Sequence, residues 1–359
     1  MAALTIAAAM IACWMLGVLH PALVGFIGCF LFVAIAGVEF ESAFGGFGTE
    51  TPWFFYGALL LSLAADRAGV IRAVRAASPR RLTESLVTAA IAIVVLADAL
   101  TLVVPSSLAR ATMLMVLAIA WGPSPWLALA AGYGAAALGH PEMPGGATAI
   151  VGWDLAVMMA IVAAVTIAAS RSRPDERVAT EAAGRSWPLG IPVAAAILLW
   201  LTTGLHGLSP ALVGLACGLV CLLPGVAPPG KRALDVDHLA VIFVGTALTI
   251  PGVLEETSGA ETLHHAWTTL SAASMQVTNY WSTVIYRLFS PDGARPALPS
   301  LAAALGSTAI WSYAGSTFLS LHQSPALILS WAAAGCRPKQ VLTVGALVMI
   351  LGSLVVLLF

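Results

Sequence analysis

The chain is 359 residues long, 60% hydrophobic and only 9% charged, with a mean hydropathy of +0.95. That composition leaves too little polar surface to cover a water-soluble domain and points to an integral membrane protein. A formal net charge of −1 offers nothing to a nucleic acid. The five cysteines, Cys13, Cys29, Cys217, Cys221 and Cys336, stand singly among apolar residues with no metal-ligand spacing, as core filler does.

Apolar runs long enough to cross about 30 Å of hydrocarbon recur along the whole chain, so the expected fold is an all-α polytopic bundle. The first run, Ala2 to Leu19, lacks a basic leader and a small-residue cleavage site and reads as a retained helix. After the second run, "VEFESAFGGFGTETPW" carries only acids. Arginines then cluster in one connection (Arg67, Arg72, Arg75, Arg80, Arg81) and in a second (Arg171, Arg173, Arg177, Arg185). Lys231 and Arg232 mark a third, and Arg337 and Lys339 a fourth. The positive-inside rule assigns all four connections to the cytoplasm and leaves the N-terminus outside, as expected for a multi-pass protein of a bacterial inner membrane.

The chain repeats itself. "LHPALVGFIGCFLFVAIAGV" at residues 19–38 returns as "LSPALVGLACGLVCLLPGV" at 208–226, and "YGALLLSLAADRAGV" near residue 60 aligns with "VGTALTIPGVLEETSGA" near 250. Residues 1–170 and 188–359 are therefore expected to be two repeats joined by the charged linker 171–187. With the linker cytoplasmic and residue 1 outside, the halves enter the membrane with opposite polarity, which is the inverted-topology plan of secondary transporters. Chance similarity among Ala-, Leu- and Val-rich helices is the alternative.

Within the first repeat, residues 84–121 are interrupted by "TLVVPSSLARA" and read as a re-entrant hairpin entered from the cytoplasm, its tip at Pro105-Ser106-Ser107. A broken helix at membrane depth is tolerated only where its backbone faces protein or a water-filled cavity. The competing reading is one kinked helix whose serines bond back to their own backbone. In the second repeat, residues 261–290 are expected to form a hairpin entered from outside, with Thr278 and Asn279 at its tip. Helices broken near 139–147, at His140-Pro141, and near 321–326, at His322-Gln323-Ser324-Pro325, occupy corresponding positions in the two repeats.

"GGFGTETPWFFYGALLLSLAADRAGVIRAV", followed by "LVVPSSLARATMLMVLAIA", resembles the divalent anion/sodium symporter family, whose members carry dicarboxylates, citrate or sulfate. Ser106, Ser107, Ala109 and Arg110 match a form of that family's first hairpin tip, and "HQSPALILSWAAAG" is similar to its C-terminal broken helix. The resemblance implies substrate contacts at Ser106, Ser107, Arg110, Thr278, Asn279, Gln323, Ser324 and Pro325, and a homodimer. At the second tip only Asn279 carries over directly, because Tyr280 and Trp281 stand where small residues are expected.

The family couples transport to Na+. Here Leu108 replaces a polar motif residue, so coupling by H+ or by exchange is expected instead, with Asp98, Glu142 or His140 as the titrating or ion-binding group. Arg110, one turn past the first tip, offers a planar fork to an anion or a salt bridge to Asp98. Arg287 reads as a residue reaching the outer interface. No hydrolase, metalloprotease or Walker-type motif is present, so an enzyme is not expected. These features predict a secondary active transporter of a small anion working by alternating access. The alternative is a relative that has lost transport and serves as a structural membrane subunit, a reading to which Tyr280 and Trp281 lend weight.

Overall fold

A computed structural model describes residues 1–122, 124–138, 147–171, 187–223, 226, 236–271, 276–289 and 317–358, and among them there is no β-strand. The first half contains α1 (Ala2–Leu16), α2 (Pro21–Ala34), α3 (Phe40–Ala43), α4 (Glu50–Ala68), α5 (Val70–Ala77), α6 (Arg80–Glu84), α7 (Leu86–Thr101), α8 (Ser107–Trp121), α9 (Pro125–Ala137) and α10 (Ala147–Arg171). The second half contains α11 (Gly190–Leu201), α12 (Thr203–His206), α13 (Pro210–Val220), α14 (His238–Glu256), α15 (Gly259–Ser271), α16 (Gln276–Tyr286), α17 (Pro325–Ala334) and α18 (Pro338–Leu358).

Counting only stretches whose side chains are described, α14 is long and apolar enough to cross a membrane, and the bent pair α4–α5 passes the same test jointly. In that count α10 begins at Leu155 and α18 ends at Leu354, and the other apolar helices run from 10 to 17 residues. An all-helical fold rich in apolar helices, many with large hydrophobic side chains on the outside, is compatible with a membrane protein.

The repeated Pro-Ala-Leu-Val-Gly segment opens α2 and α13 alike, with proline in the first turn where its missing N–H costs nothing. Each proline carbonyl accepts the indole N–H of a buried tryptophan on the preceding long helix, Trp14 to Pro21 at 2.9 Å and Trp200 to Pro210 at 3.1 Å. The glycine that ends the segment is the close-packing point in both halves. A Cβ at Gly25 would collide with Thr246 of α14, and one at Gly214 would collide with Phe54 of α4. Each half thus sends its second helix against the long helix of the other half.

Contacts at the helix ends fix directions. Gly17, past the end of α1, lies beside Pro338, and Gly190, at the start of α11, lies beside Ala68 at the end of α4. The same end gathers Trp121, whose indole N–H donates to Ser78 Oγ at 2.7 Å, and Cys336, whose thiol donates to the Pro125 carbonyl at 3.2 Å. At the opposite end Glu50, at the start of α4, accepts the hydroxyl of Ser209, at the start of α13, at 3.1 Å. Hence α1 runs toward the first end and α11 away from it, while α2 and α13 also run oppositely. The first end carries Arg67, Arg72, Arg75, Arg80, Arg81, Arg337 and Lys339; the other carries the exposed Glu39, Glu41, Glu50, Glu255, Glu256 and Glu261.

Candidate functional site

The chain breaks between α7 and α8 at residues 102–106, as the sequence predicts for the first hairpin. Proline at 105 lacks the N–H that a continuing helix needs, and Ser106 restarts the helix as its N-cap, its Oγ accepting from Ala109 N at 3.3 Å. Both arms start at the arginine-bearing end and span about 22–24 Å at about 1.5 Å per residue; at the tip Leu102, Val103 and Pro105 are exposed while Val104 is buried. Ser106 and Ser107 are half-buried there.

Arg110 is 2% exposed and organises this tip. Its Nη1 donates to the carbonyls of Val104 and Pro105 at 2.8 and 3.1 Å, and its Nη2 to those of Ala135 and Leu138 at 2.8 and 2.9 Å. Helix breaks strand carbonyls, and each one left buried without a donor costs about 1–3 kcal/mol. One guanidinium therefore satisfies the break after α7 and the last turn of α9 together. Beside the two roles expected from the sequence, a salt bridge to Asp98 or an anion ligand, the guanidinium thus has a third: these four hydrogen bonds run to main-chain oxygens. Asp98 is half-buried on α7, within electrostatic range of Arg110, and its own main-chain carbonyl accepts the Thr101 hydroxyl at 2.6 Å.

Helix α9 returns from the arginine-bearing end to the depth of the tip, and α17 lies beside it in the opposite direction, with Ser330 Oγ donating to the Ala128 carbonyl at 2.9 Å. The start of α17 consequently meets the end of α9. Pro325 is its first residue, and Ser324 its N-cap, accepting from Ala326 N at 3.3 Å. Just before it, residues 317–324 form a buried, irregular and strongly polar segment. Gln323 Oε1 accepts from the amides of Leu319 and Ser320 at 2.6 and 2.9 Å, while its Nε2 is buried with no hydrogen-bond partner among the described residues. His322 lies 2.8 Å from Ser320 Oγ through Nδ1 and 2.7 Å from the Leu288 carbonyl through Nε2. A carbonyl can only accept, so Nε2 carries a proton and Nδ1 is left to accept from the serine in the neutral ring.

Three residues not singled out from the sequence as site residues complete the cluster. The Tyr133 hydroxyl, one turn before the end of α9, donates to the Phe318 carbonyl, and the Tyr280 hydroxyl lies 2.9 Å from Thr317 Oγ1. Tyr133 is the lone polar side chain in the run "LALAAGYGAAAL", the one signal that could have marked it. Arg287, read as an interfacial residue, is instead buried with its guanidinium over the Phe318 ring, 5.2 Å from the centroid.

The second hairpin departs from expectation. Thr278 and Asn279 lie inside α16, so they do not form a tip; residues 272–275, between α15 and α16, lie outside the described residues. A first helical turn accommodates Thr and Asn, because its N–H groups need no intrahelical acceptor. The side chains of Thr278 and Asn279, together with His140 and Glu142, lie outside the described residues. Tyr280 and Trp281 do not sit at a helix break either: Tyr280 is buried against Thr317, and Trp281 faces outward with its indole N–H on Ser353 Oγ at 2.8 Å. The structure thus ties Arg110 to the end of α9, and ties Tyr133, one turn before that end, to Phe318 in the segment that holds Gln323, Ser324 and Pro325. No protein-family model matches the chain, and no curated protein matches it.

Proposed function

We propose that this chain is a secondary active transporter of a small anion, dicarboxylate- or sulfate-like, working by alternating access as a compact relative of the divalent anion/sodium symporters. The observation that carries the reading is the linkage of three helix ends in an otherwise apolar bundle. Buried Arg110 ties the break after α7 to the end of α9, and Tyr133 of α9 ties to Phe318 in the buried polar segment that precedes α17. Irregular backbone inside a membrane is tolerated only where it is buried in protein or lines a water-filled cavity, and transporters build their sites from such breaks.

On this reading the anion's donors are the first amides of α8 and the buried Nε2 of Gln323, with the Arg110 charge behind the tip. Carbonyls solvate a guanidinium without cancelling its charge, so the tip region favours an anion. The opposite running directions of α1 and α11, and of α2 and α13, support an inverted repeat. The exchange of Gly25 and Gly214 contacts between halves supports a scaffold shared by both. The arginine-rich end would then face the cytoplasm and the glutamate-rich end the outside. Coupling runs through a proton or through exchange, with Asp98 near the tip as the titrating group. The alternative is a structural membrane subunit; Tyr280 and Trp281, which lend it weight in the sequence, lie within α16 against Thr317 and Ser353.

Uptake of radiolabelled succinate and sulfate into proteoliposomes, with a sodium or proton gradient imposed in turn, tests the proposal. Accumulation of either anion in response to a proton gradient or internal anion supports it. Absence of uptake of both under every gradient, with correctly inserted protein, contradicts it.

A further inference from the structure

Helices α5 and α6 form a strap across the arginine-bearing end of the bundle. Gly69, in the left-handed conformation at φ +79°, turns the chain between α4 and α5, whose axes differ by 65°. Val70, Ile71 and Val74 pack inward, and Arg72 and Arg75 are exposed. The strap is tied to the base of the hairpin: Arg75 Nε donates to the Ala120 carbonyl at 2.7 Å and its Nη2 to that of Ile119 at 3.3 Å, capping the end of α8. Trp121 adds its hydrogen bond to Ser78. Past this anchor Arg80 and Arg81 are exposed, and Arg337 and Lys339 are exposed at the same end, beyond the Cys336–Pro125 contact. Among the described residues of the strap and of the helix ends beside it, the acids are the half-buried Asp66 and the exposed Glu84 and Asp237, against the exposed Arg72, Arg75, Arg80, Arg81, Arg337 and Lys339.

We propose that this strap is a docking surface for anionic phospholipid headgroups in the leaflet it faces, with Arg80, Arg81 and Lys339 taking the phosphate oxygens. The proposal rests on the membrane placement given above but not on transport. A short amphipathic helix lying across a bundle end, apolar face inward and basic face outward, has the charge complementarity that an acidic lipid surface requires. Because Arg75 joins the strap to α8, lipid held there also braces the hairpin whose other end is the tip.

The test is thermal unfolding of the full chain in detergent, with added dioleoylphosphatidylglycerol, dioleoylphosphatidylcholine or inorganic phosphate, together with flotation on vesicles of each lipid. Phosphatidylglycerol is expected to raise the melting temperature while the other two do not, and high salt is expected to abolish the rise. Each arginine near an anionic surface changes affinity about five-fold, so Arg80→Gln with Arg81→Gln should need roughly thirty-fold more phosphatidylglycerol for the same rise. Glu39→Gln with Glu41→Gln, at the far end, should respond like the parent. Equal melting in both lipids, an equal effect of free phosphate, or a full response from the arginine variant overturns the proposal. A chain that stays soluble without detergent and floats with neither lipid overturns the membrane placement itself.

Discussion

Arg110 Nη2 donates to the main-chain carbonyl of Leu138 at 2.9 Å, across 28 residues of sequence. That contact makes the hairpin tip and the end of α9 one unit, because the same guanidinium also holds the carbonyls of Val104 and Pro105. A shift of the hairpin relative to α9 would have to break it or carry α9 along.

Arg110→Gln is expected to lower stability by about 3 kcal/mol or more, since several buried carbonyls lose their donor at once. Adding Asp98→Asn should not restore the fold, because an acid is not what the guanidinium chiefly satisfies. Melting temperatures of the parent, both single variants and the double variant decide this. Recovery in the double variant would show that the Asp98 charge dominates.

Tyr133→Phe removes the hydroxyl that holds the Phe318 carbonyl and nothing else. A loss of about 1–3 kcal/mol is expected from the stranded carbonyl. An unchanged melting temperature would indicate that another donor reaches Phe318.

Gly25→Ala and Gly214→Ala probe the packing shared between halves. A Cβ at either position meets side-chain atoms of the other half closely enough that something must shift, so each should cost about 1–3 kcal/mol. A double-mutant cycle of Gly25→Ala with Thr246→Gly should recover part of the loss, whereas Gly214→Ala with Thr246→Gly should be additive. Similar coupling in both cycles would contradict the assignment of contacts.

Some of this arrangement was readable from the sequence. Proline and serine chemistry marks both Pro105-Ser106 and Ser324-Pro325 as helix starts, and the structure places α8 and α17 accordingly. The Pro-Ala-Leu-Val-Gly repeat is legible because matched helices need a glycine at the same close approach. The described basic clusters, Arg67 to Arg81 and Arg337 with Lys339, and the acidic "VEFESAFGGFGTETPW" segment likewise separate to opposite ends. Partners were not readable: nothing local in "SSLARA" says that Arg110 reaches Ala135 and Leu138 rather than a carboxylate two turns away. Thr278 and Asn279 misled for a related reason, since residues favoured in breaks are equally favoured in the first turn of a helix. Burial of Arg287 over Phe318 depends on a chain segment far away in sequence and leaves no local trace.

Orientation follows from the charged ends. A cysteine at Arg81 and one at Glu41, each in an otherwise cysteine-free background, should react with a membrane-impermeant maleimide from opposite sides of sealed vesicles. Labelling of both from one side would remove the positive-inside assignment.

Counterflow is the measurement closest to the central claim, that Gln323 and the first hairpin tip together hold a transported anion. Vesicles containing the protein and loaded with unlabelled succinate or sulfate should take up the labelled anion transiently. Gln323→Leu should abolish that uptake because it removes the buried Nε2 donor; it also strands the buried amides of Leu319 and Ser320, at about 1–3 kcal/mol each, so uptake is compared at a temperature where both proteins remain folded. Counterflow that persists undiminished in Gln323→Leu, or that never occurs in the parent with either anion, would contradict the account.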